Sequence, residues 1–229
     1  SMVKFFFGKK EMAAYKAPLR DIRFLLNNVF NVDQLFASMP DTAEVTDDLI
    51  AAIVEEAGKI AEGLLAPINQ SGDAEACHFD NGTVTTPEGF KEAYKEFAAG
   101  GWSSLTGDVD YGGQGMPKML SAVIEEMLFA ANSSFALYTI LNTGATLTLS
   151  YHGSDELKQR YLPKMYSGNW SGTMCLTEPH AGTDLGMIKT KAELQVDGSY
   201  RLSGTKIFIT AGEHDLTENI IHLVLAKLP

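Results

Sequence analysis

Apolar residues recur three and four positions apart through the first three quarters of the chain, then at every second position towards its end. Leu19, Ile22, Leu25, Leu26, Val29 and Phe30 keep the helical period after Pro18, which predicts a short amphipathic segment ending near Asn31. A longer stripe follows through Leu49, Ile50, Ile53, Val54, Ala57, Ile60, Ala61, Leu64 and Leu65. Thr46 stands before it as an N-cap, Asp47 and Asp48 bring negative charge to the first turn, and Pro67 stops it. Thr86-Pro87-Glu88 signals another start, with Phe90, Ala93, Tyr94 and Phe97 on one face and Gly100-Gly101 at the end. Each stripe needs a neighbour to bury it, so these segments pack together.

From Trp102 to Pro117 the chain is rich in Gly, Ser and Asp, notably Asp110-Tyr111-Gly112-Gly113-Gln114-Gly115. The run matches neither of the two phosphate-binding glycine patterns and follows no strand, so it reads as a connecting loop before a helix opened by Pro117. Met127 to Ser154 then holds no Asp, Glu, Lys or Arg, and is longer than the roughly 20 residues a membrane helix requires. Asn132, Ser133, Ser134, Asn142, Thr143, Gly144 and Thr146 interrupt it, which favours buried helices in a soluble protein and no membrane span. Ser154 caps a last short helix carrying Leu157, Tyr161, Leu162 and Met165.

Near Trp170 the period changes from 3.6 to 2. Ala192, Leu194 and Val196 alternate with Glu193 and Gln195, Asp197-Gly198 supplies a two-residue turn, and Tyr200 and Leu202 alternate with Arg201 and Ser203. Thr205–Thr210 and Ile220–Leu228 read as two further strands, the second apolar on both faces except at His222. The expected fold class is α+β, an N-terminal all-α helical domain followed by an incomplete antiparallel β domain, with the boundary near residues 167–172. The last strand runs almost to Pro229 and leaves an uncovered edge, so the sequence reads as cut off inside a domain.

Composition narrows the function classes. Apolar residues make up 45% and charged residues 21% of 229, the proportions of a globular protein. A net charge of −11 removes the electrostatic drive for non-specific binding to nucleic acid or anionic lipid. Cys77 and Cys175 form no C-x-x-C pair, which argues against a disulfide framework or a zinc site and for a reducing, cytoplasmic location. Ser1-Met2-Val3 reads as a cloning remnant, and Lys4, Lys9, Lys10 and Glu11 leave no secretory apolar region after it. Histidines 78, 152, 180, 214 and 222 share no ligand spacing, so no metal is expected, and Asp41, Glu44, Asp47 and Asp48 read as a solvated helix start.

The segment Met174-Cys-Leu-Thr-Glu-Pro-His-Ala-Gly-Thr-Asp-Leu-Gly186 runs from a strand into a turn rich in Pro, Gly and hydroxyl residues. Such a corner exposes N–H groups and short hydroxyls together and suits a ligand with carbonyl edges and phosphates, although on spacing alone an ordinary strand-to-turn corner is the favoured reading. Extended to Ala192, the segment resembles the flavin-binding signature of the acyl-CoA dehydrogenases. Tyr200–Gly212 resembles the second flavin segment of that family, and Gly112-Gly113-Gln-Gly-Met-Pro117 its Gly-Gly-x-Gly-x-Pro loop. The likeness runs from about residue 40 onward, and Tyr15-Lys16-Ala17-Pro18 with Phe30 is similar to the N-terminal extension of the large bacterial members.

The resemblance implies an extension over 1–38, a helical domain over 39–170 and the first part of a flavin-binding β domain over 171–229. It implies FAD as cofactor, with Met174, Leu176, Thr177, Gly182, Thr183, Phe208, Ile209 and Thr210 in its site. Leu176 and Thr177 would meet the pyrimidine edge of the ring, Gly182 and Thr183 the pyrophosphate, and Thr183 also the CoA part of the substrate. Phe208 stands where the family commonly has Trp and would cover one flavin face, Thr210 would approach flavin N5, and His180 stands where many relatives have Gly. Glu178 reads as a structural residue of the turn. The implied activity is α,β-dehydrogenation of an acyl-CoA to a trans-2-enoyl-CoA in fatty acid β-oxidation, by a homo-oligomer that passes electrons to an electron-transfer flavoprotein. The uncharged helices would wall the acyl pocket. The catalytic carboxylate is expected beyond Pro229, so this chain alone is expected to show no turnover and to retain little FAD. An acyl-CoA oxidase, a DNA-damage-response flavoprotein on the same scaffold, and a non-enzymatic acyl-CoA-binding helical module are the alternatives.

Overall fold

The computed structural model describes residues 14–229, so the expectations for Ser1-Met2-Val3, Lys4, Lys9, Lys10 and Glu11 lie outside the described residues. Helix α1 (Leu19–Phe24) continues into a wider turn, Leu25–Val29, and ends where Asn31 turns left-handed at φ 49°. The preceding segment is strapped to the next long helix: Ala17 N–H and Lys16 Nζ reach the two Glu62 carboxylate oxygens at 2.9 and 2.7 Å. After α2 (Val32–Ala37) comes α3 (Asp47–Lys59), where Thr46 Oγ1 accepts the Leu49 N–H at 3.3 Å as the capping pattern predicts. A wide turn, Ile60–Leu65, and a tight one around Pro67 lead to α4 (Asn69–Glu75).

A small hairpin follows that the periodicity did not predict. Strands β1 (His78–Asp80) and β2 (Thr83–Thr85) pair antiparallel across Asn81-Gly82, both residues left-handed at φ 48° and 89°. Helix α5 (Phe90–Ala99) begins later than the Thr86-Pro87-Glu88 signal, because Gly89 takes φ 86° and the Thr86 hydroxyl is engaged elsewhere.

The uncharged stretch from Met127 makes up most of α6 (Lys118–His152), whose backbone breaks within it at Asn132 (φ −158°, ψ 92°). Asn132 repairs both ends of its own break. Its Oδ1 accepts the Phe135 N–H at 3.0 Å and its Nδ2 donates to the Leu65 carbonyl at 3.2 Å, so the buried side chain caps the second half and satisfies the turn after α3. By length and composition α6 could cross a membrane. In this fold Leu120, Met127 and Phe135 lie fully buried at the centre of the helical layer, with Phe135 edge-on to Phe97 at 5.9 Å.

Helix α7 (Asp155–Tyr166), capped by Ser154 Oγ on the Leu157 N–H at 3.3 Å, delivers the chain to β3 (Trp170–Cys175). β3 packs on α6 through Gly172, where a Cβ would come within 2.4 Å of Ala145 Cβ and 2.6 Å of Met165 Cε. Only glycine fits that crossing. β4 (Lys191–Leu194) and β5 (Tyr200–Ser203) form the expected antiparallel hairpin, but pairing stops at Leu194↔Tyr200. Val196 is exposed in the loop, which Gly198 closes at φ 83°, so the connection is longer than two residues.

Two strand expectations are corrected. Residues 205–210 are irregular, because the Ile207 N–H is drawn to the Thr177 carbonyl at 2.9 Å and Phe208 turns left-handed at φ 57°. The last strand, β6, covers Asn219–Val224 and pairs parallel with β3, Thr173 opposite His222. A parallel pair needs a long return path, and the chain from Leu176 to Glu218 supplies it. The architecture is therefore α+β, a helical layer followed by a partial β layer in which one pair is parallel.

Candidate functional site

Beyond β3 the chain folds into a narrow turn in which Glu178 and Ala181 exchange backbone hydrogen bonds of 2.9 and 3.0 Å. This places Pro179 and His180 at the tip. His180 needs no left-handed backbone there, and its Nε2 lies 3.2 Å from the Met187 carbonyl oxygen. The Glu178 side chain turns inward and is 2% exposed. It accepts the backbone N–H groups of Lys189 and Thr190 at 2.7 and 2.9 Å and the Lys206 ammonium at 3.0 Å. Burial pushes the Glu178 carboxyl up, but these hydrogen bonds outweigh it and hold the group well below the usual carboxylate range. A carboxylate so fully engaged is a structural anion and a poor proton acceptor.

The same lysine joins the two sequence segments singled out above. Lys206 Nζ donates to the Leu176 carbonyl at 2.8 Å, and the next residue, Ile207, donates its N–H to Thr177. Leu176 and Thr177 are thereby fixed beside the start of the Phe208–Thr210 loop. Thr177 also faces the turn residue Gly182, whose added Cβ would sit 3.8 Å from Thr177 Cγ2. Met174 occupies β3 opposite Leu223, half-buried, and Ile209 is half-buried in the loop. Gly182, Thr183 and Thr210 are exposed, and Phe208 is 88% exposed. Among the described residues the Thr177 N–H and the hydroxyls of Thr183 and Thr210 have no partner. A corner whose one ion pair, Lys206–Glu178, is turned inward, with free donors, two exposed hydroxyls and an uncovered ring, fits a planar ligand with polar edges.

A second set of residues, which periodicity and motif had not singled out, fixes the far end of this loop. His214 is buried, its Nδ1 accepting the Leu216 N–H at 3.2 Å, so the ring proton sits on Nε2 and is donated to Ser171 Oγ at 3.1 Å. Tyr138 of α6 meets the ring edge-on at 5.2 Å. Burial lowers the His214 pKa to about 4, His222 adding to the effect and Asp215 opposing it. Next to it, burial raises the Asp215 carboxyl, but hydrogen bonds from Lys91 and Thr86 bring it down to about 2.

The glycine-rich loop closes on itself as a connection. A Cβ on Gly113 would come within 2.0 Å of the Gly107 carbonyl carbon, and Gln114 Nε2 donates to the Gly101 carbonyl at 2.7 Å. Between this loop, α3 and α6 lies a cleft of about 1180 Å³ walled by Val45, Leu49, Trp102, Thr143, Thr146 and Leu147. The uncharged half of α6 thus lines a cavity, none of whose walls comes from residues 174–210.

These features define an α+β protein with a donor-bearing corner where its β layer begins. The family described as "Acyl-CoA dehydrogenase, N-terminal domain" matches residues 48–169. A 3-methylmercaptopropionyl-CoA dehydrogenase of Ruegeria pomeroyi is 46% identical over 215 residues, 94% of this chain and 36% of that protein. A butyryl-CoA dehydrogenase of Syntrophomonas wolfei is 39% identical over 219 residues, with the same two shares. In structure, an acyl-CoA dehydrogenase complexed with FAD from Bacillus anthracis superposes with a TM-score of 0.67 at 26% identity, over 81% of this chain and 29% of that one. The chain belongs to the acyl-CoA dehydrogenase family. It spans about a third of the length of the curated relatives it matches.

Proposed function

We propose that this chain is the N-terminal part of an FAD-dependent enzyme that converts an acyl-CoA thioester to its trans-2-enoyl-CoA and passes the electrons to an electron-transfer flavoprotein. The observation that carries the reading is the joining of the 174–183 and 206–210 segments into one corner by Lys206 and Ile207. FAD bound there supplies a two-electron acceptor for the substrate's Cα–Cβ bond. The chain's own residues bind and orient it. The Leu176–Thr177 backbone supplies donors to the polar edge of the ring, Gly182 and Thr183 lie open to the pyrophosphate, and Thr183 also serves the CoA portion of the substrate. Phe208, with Ile209 behind it, gives an aromatic surface for one face of the ring, and the Thr210 hydroxyl serves its centre.

Fixed donors at the edge where negative charge grows favour the reduced cofactor. Glu178 is already paired and buried, so it is not the base that takes the substrate α-proton; the family resemblance assigns that carboxylate to the part of the relatives that this chain does not span.

The test compares the full-length gene product with this 229-residue chain. The full-length protein is expected to purify yellow and to oxidise short acyl-CoAs with an artificial acceptor or electron-transfer flavoprotein, reacting slowly with oxygen. The shorter chain is expected to show no turnover and to lose FAD on gel filtration. A colourless, inactive full-length protein would overturn the reading, and fast reoxidation by oxygen would make it an oxidase.

A further inference from the structure

Lys206 does more than neutralise Glu178. Its ammonium is 10% exposed and makes two hydrogen bonds, to Glu178 Oε1 at 3.0 Å and to the Leu176 carbonyl at 2.8 Å. The second contact governs a peptide plane. The described chain has no cis peptide bond, and in a trans peptide the carbonyl of one residue and the N–H of the next point in opposite directions. With the Leu176 carbonyl drawn inward to Lys206, the Thr177 N–H must point away from Lys206, out of the corner. That N–H has no partner among the described residues, although the groups on either side of it are paired: the Thr177 carbonyl with Ile207 and the Glu178 N–H with Ala181.

We infer that Lys206 is a positioning residue, which by holding the Leu176 carbonyl turns the Leu176–Thr177 peptide so that its N–H is presented to the ligand. Glu178, anchored by Lys189 and Thr190, holds Lys206 in place for this task. Without the ammonium the carbonyl has no inward donor, and the peptide is free to rotate its N–H away from the ligand. The consequence for cofactor chemistry rests on the flavin reading above: an N–H aimed at the pyrimidine edge strengthens when that edge gains negative charge, so it raises the preference for reduced over oxidised flavin.

Two measurements on Lys206→Met test this, with Lys206→Gln in its place should the methionine variant fail to fold. In the ¹⁵N-labelled 229-residue chain, the Thr177 amide is expected to give one sharp signal in the wild type and a split or broadened one in the variant, while the Ala181 amide stays sharp. In the FAD-loaded full-length protein, the variant is expected to lose about tenfold in preference for reduced flavin, or about 30 mV for a two-electron couple. An unchanged Thr177 signal overturns the inference, even with a lowered potential, because charge alone then explains the shift. A disturbed Thr177 signal with an unchanged potential overturns the ligand-facing role. If the wild-type full-length protein holds no flavin, the functional reading fails, and the amide signal still decides whether Lys206 sets the peptide.

Discussion

Asp215 and Thr86, 129 residues apart in sequence, are joined by two hydrogen bonds: Asp215 Oδ1 accepts the Thr86 N–H at 3.1 Å and its hydroxyl at 2.7 Å. Lys91 Nζ adds an ion pair to Oδ2 at 2.9 Å. Together with His214 on Ser171, this ties the end of the loop that carries Phe208 and Thr210 to the entrance of α5. The loop is therefore held at both ends, by Lys206 and Ile207 on one side and by His214 and Asp215 on the other.

Asp215→Asn keeps the shape and removes the charge. It is expected to cost about 1.5–3 kcal/mol, the range for hydrogen bonds to a charged group, read as a lower urea midpoint with an unchanged slope. Because the folded Asp215 pKa is about 2 against an ordinary value of 3.8 in the unfolded chain, its contribution is complete above pH 3.8 and is lost as pH falls towards 2. The variant should therefore lose that part of the acid dependence.

His214 acts at higher pH. Its folded pKa of about 4 lies below the unfolded value of 6.5, so the unfolded chain binds the proton more readily between those values. Stability is then unaffected above pH 6.5 and falls as pH drops from 6.5 to 4, with a slope of at most about 1.4 kcal/mol per pH unit. The groups facing the ring are Ser171, the Tyr138 edge, Asp215 and His222. In His214→Gln the slope across that window should flatten, and chemical denaturation at pH 7, 5.5 and 4.5 measures it. An unchanged slope would show that His214 takes up its proton as readily in the folded chain as in the unfolded one.

Asn132→Ala removes both a cap and a carbonyl's partner. It frees the Phe135 N–H and leaves the Leu65 carbonyl unsatisfied in the core, so the expected loss is roughly 2–4 kcal/mol. Thermal unfolding of the two proteins reads it. Asn132→Asp, which keeps the cap but puts an acceptor against the Leu65 carbonyl, should be no better than alanine.

Legibility from sequence followed the range of the interaction. Thr46 and Ser154 cap helices three residues ahead, and both positions were readable because donor and acceptor lie within one turn. Asn81-Gly82 carried the strongest short hairpin signal in the chain and was passed over, since its strands are only three residues long and show no alternation. The flavin segments were visible as motifs. What joins them was not: Glu178 takes its donors from residues 11, 12 and 28 positions away, which no local period encodes. Thr205–Thr210 misled for the same reason, because its β-branched and aromatic content suits a strand while the pull of Thr177 on Ile207 overrides it.

Phe208 joins an unfavourable backbone to an unburied side chain. A left-handed φ costs a non-glycine residue roughly 1–2 kcal/mol, and a ring 88% exposed recovers almost nothing from packing. Within this chain, then, Phe208 is a net loss, and the strain makes sense if the ring gains its contact from outside the chain, as a bound cofactor would supply. Phe208→Gly should accordingly stabilise the 229-residue chain by about 1 kcal/mol, raising its melting temperature by roughly 2–4 °C for a protein of this size. The same substitution in the FAD-loaded full-length protein should weaken cofactor binding at least tenfold, the loss of one aromatic face at roughly 1.4 kcal/mol per decade. A melting temperature that falls would mean the ring is packed in the free chain. Unchanged FAD affinity would mean it faces something other than the cofactor.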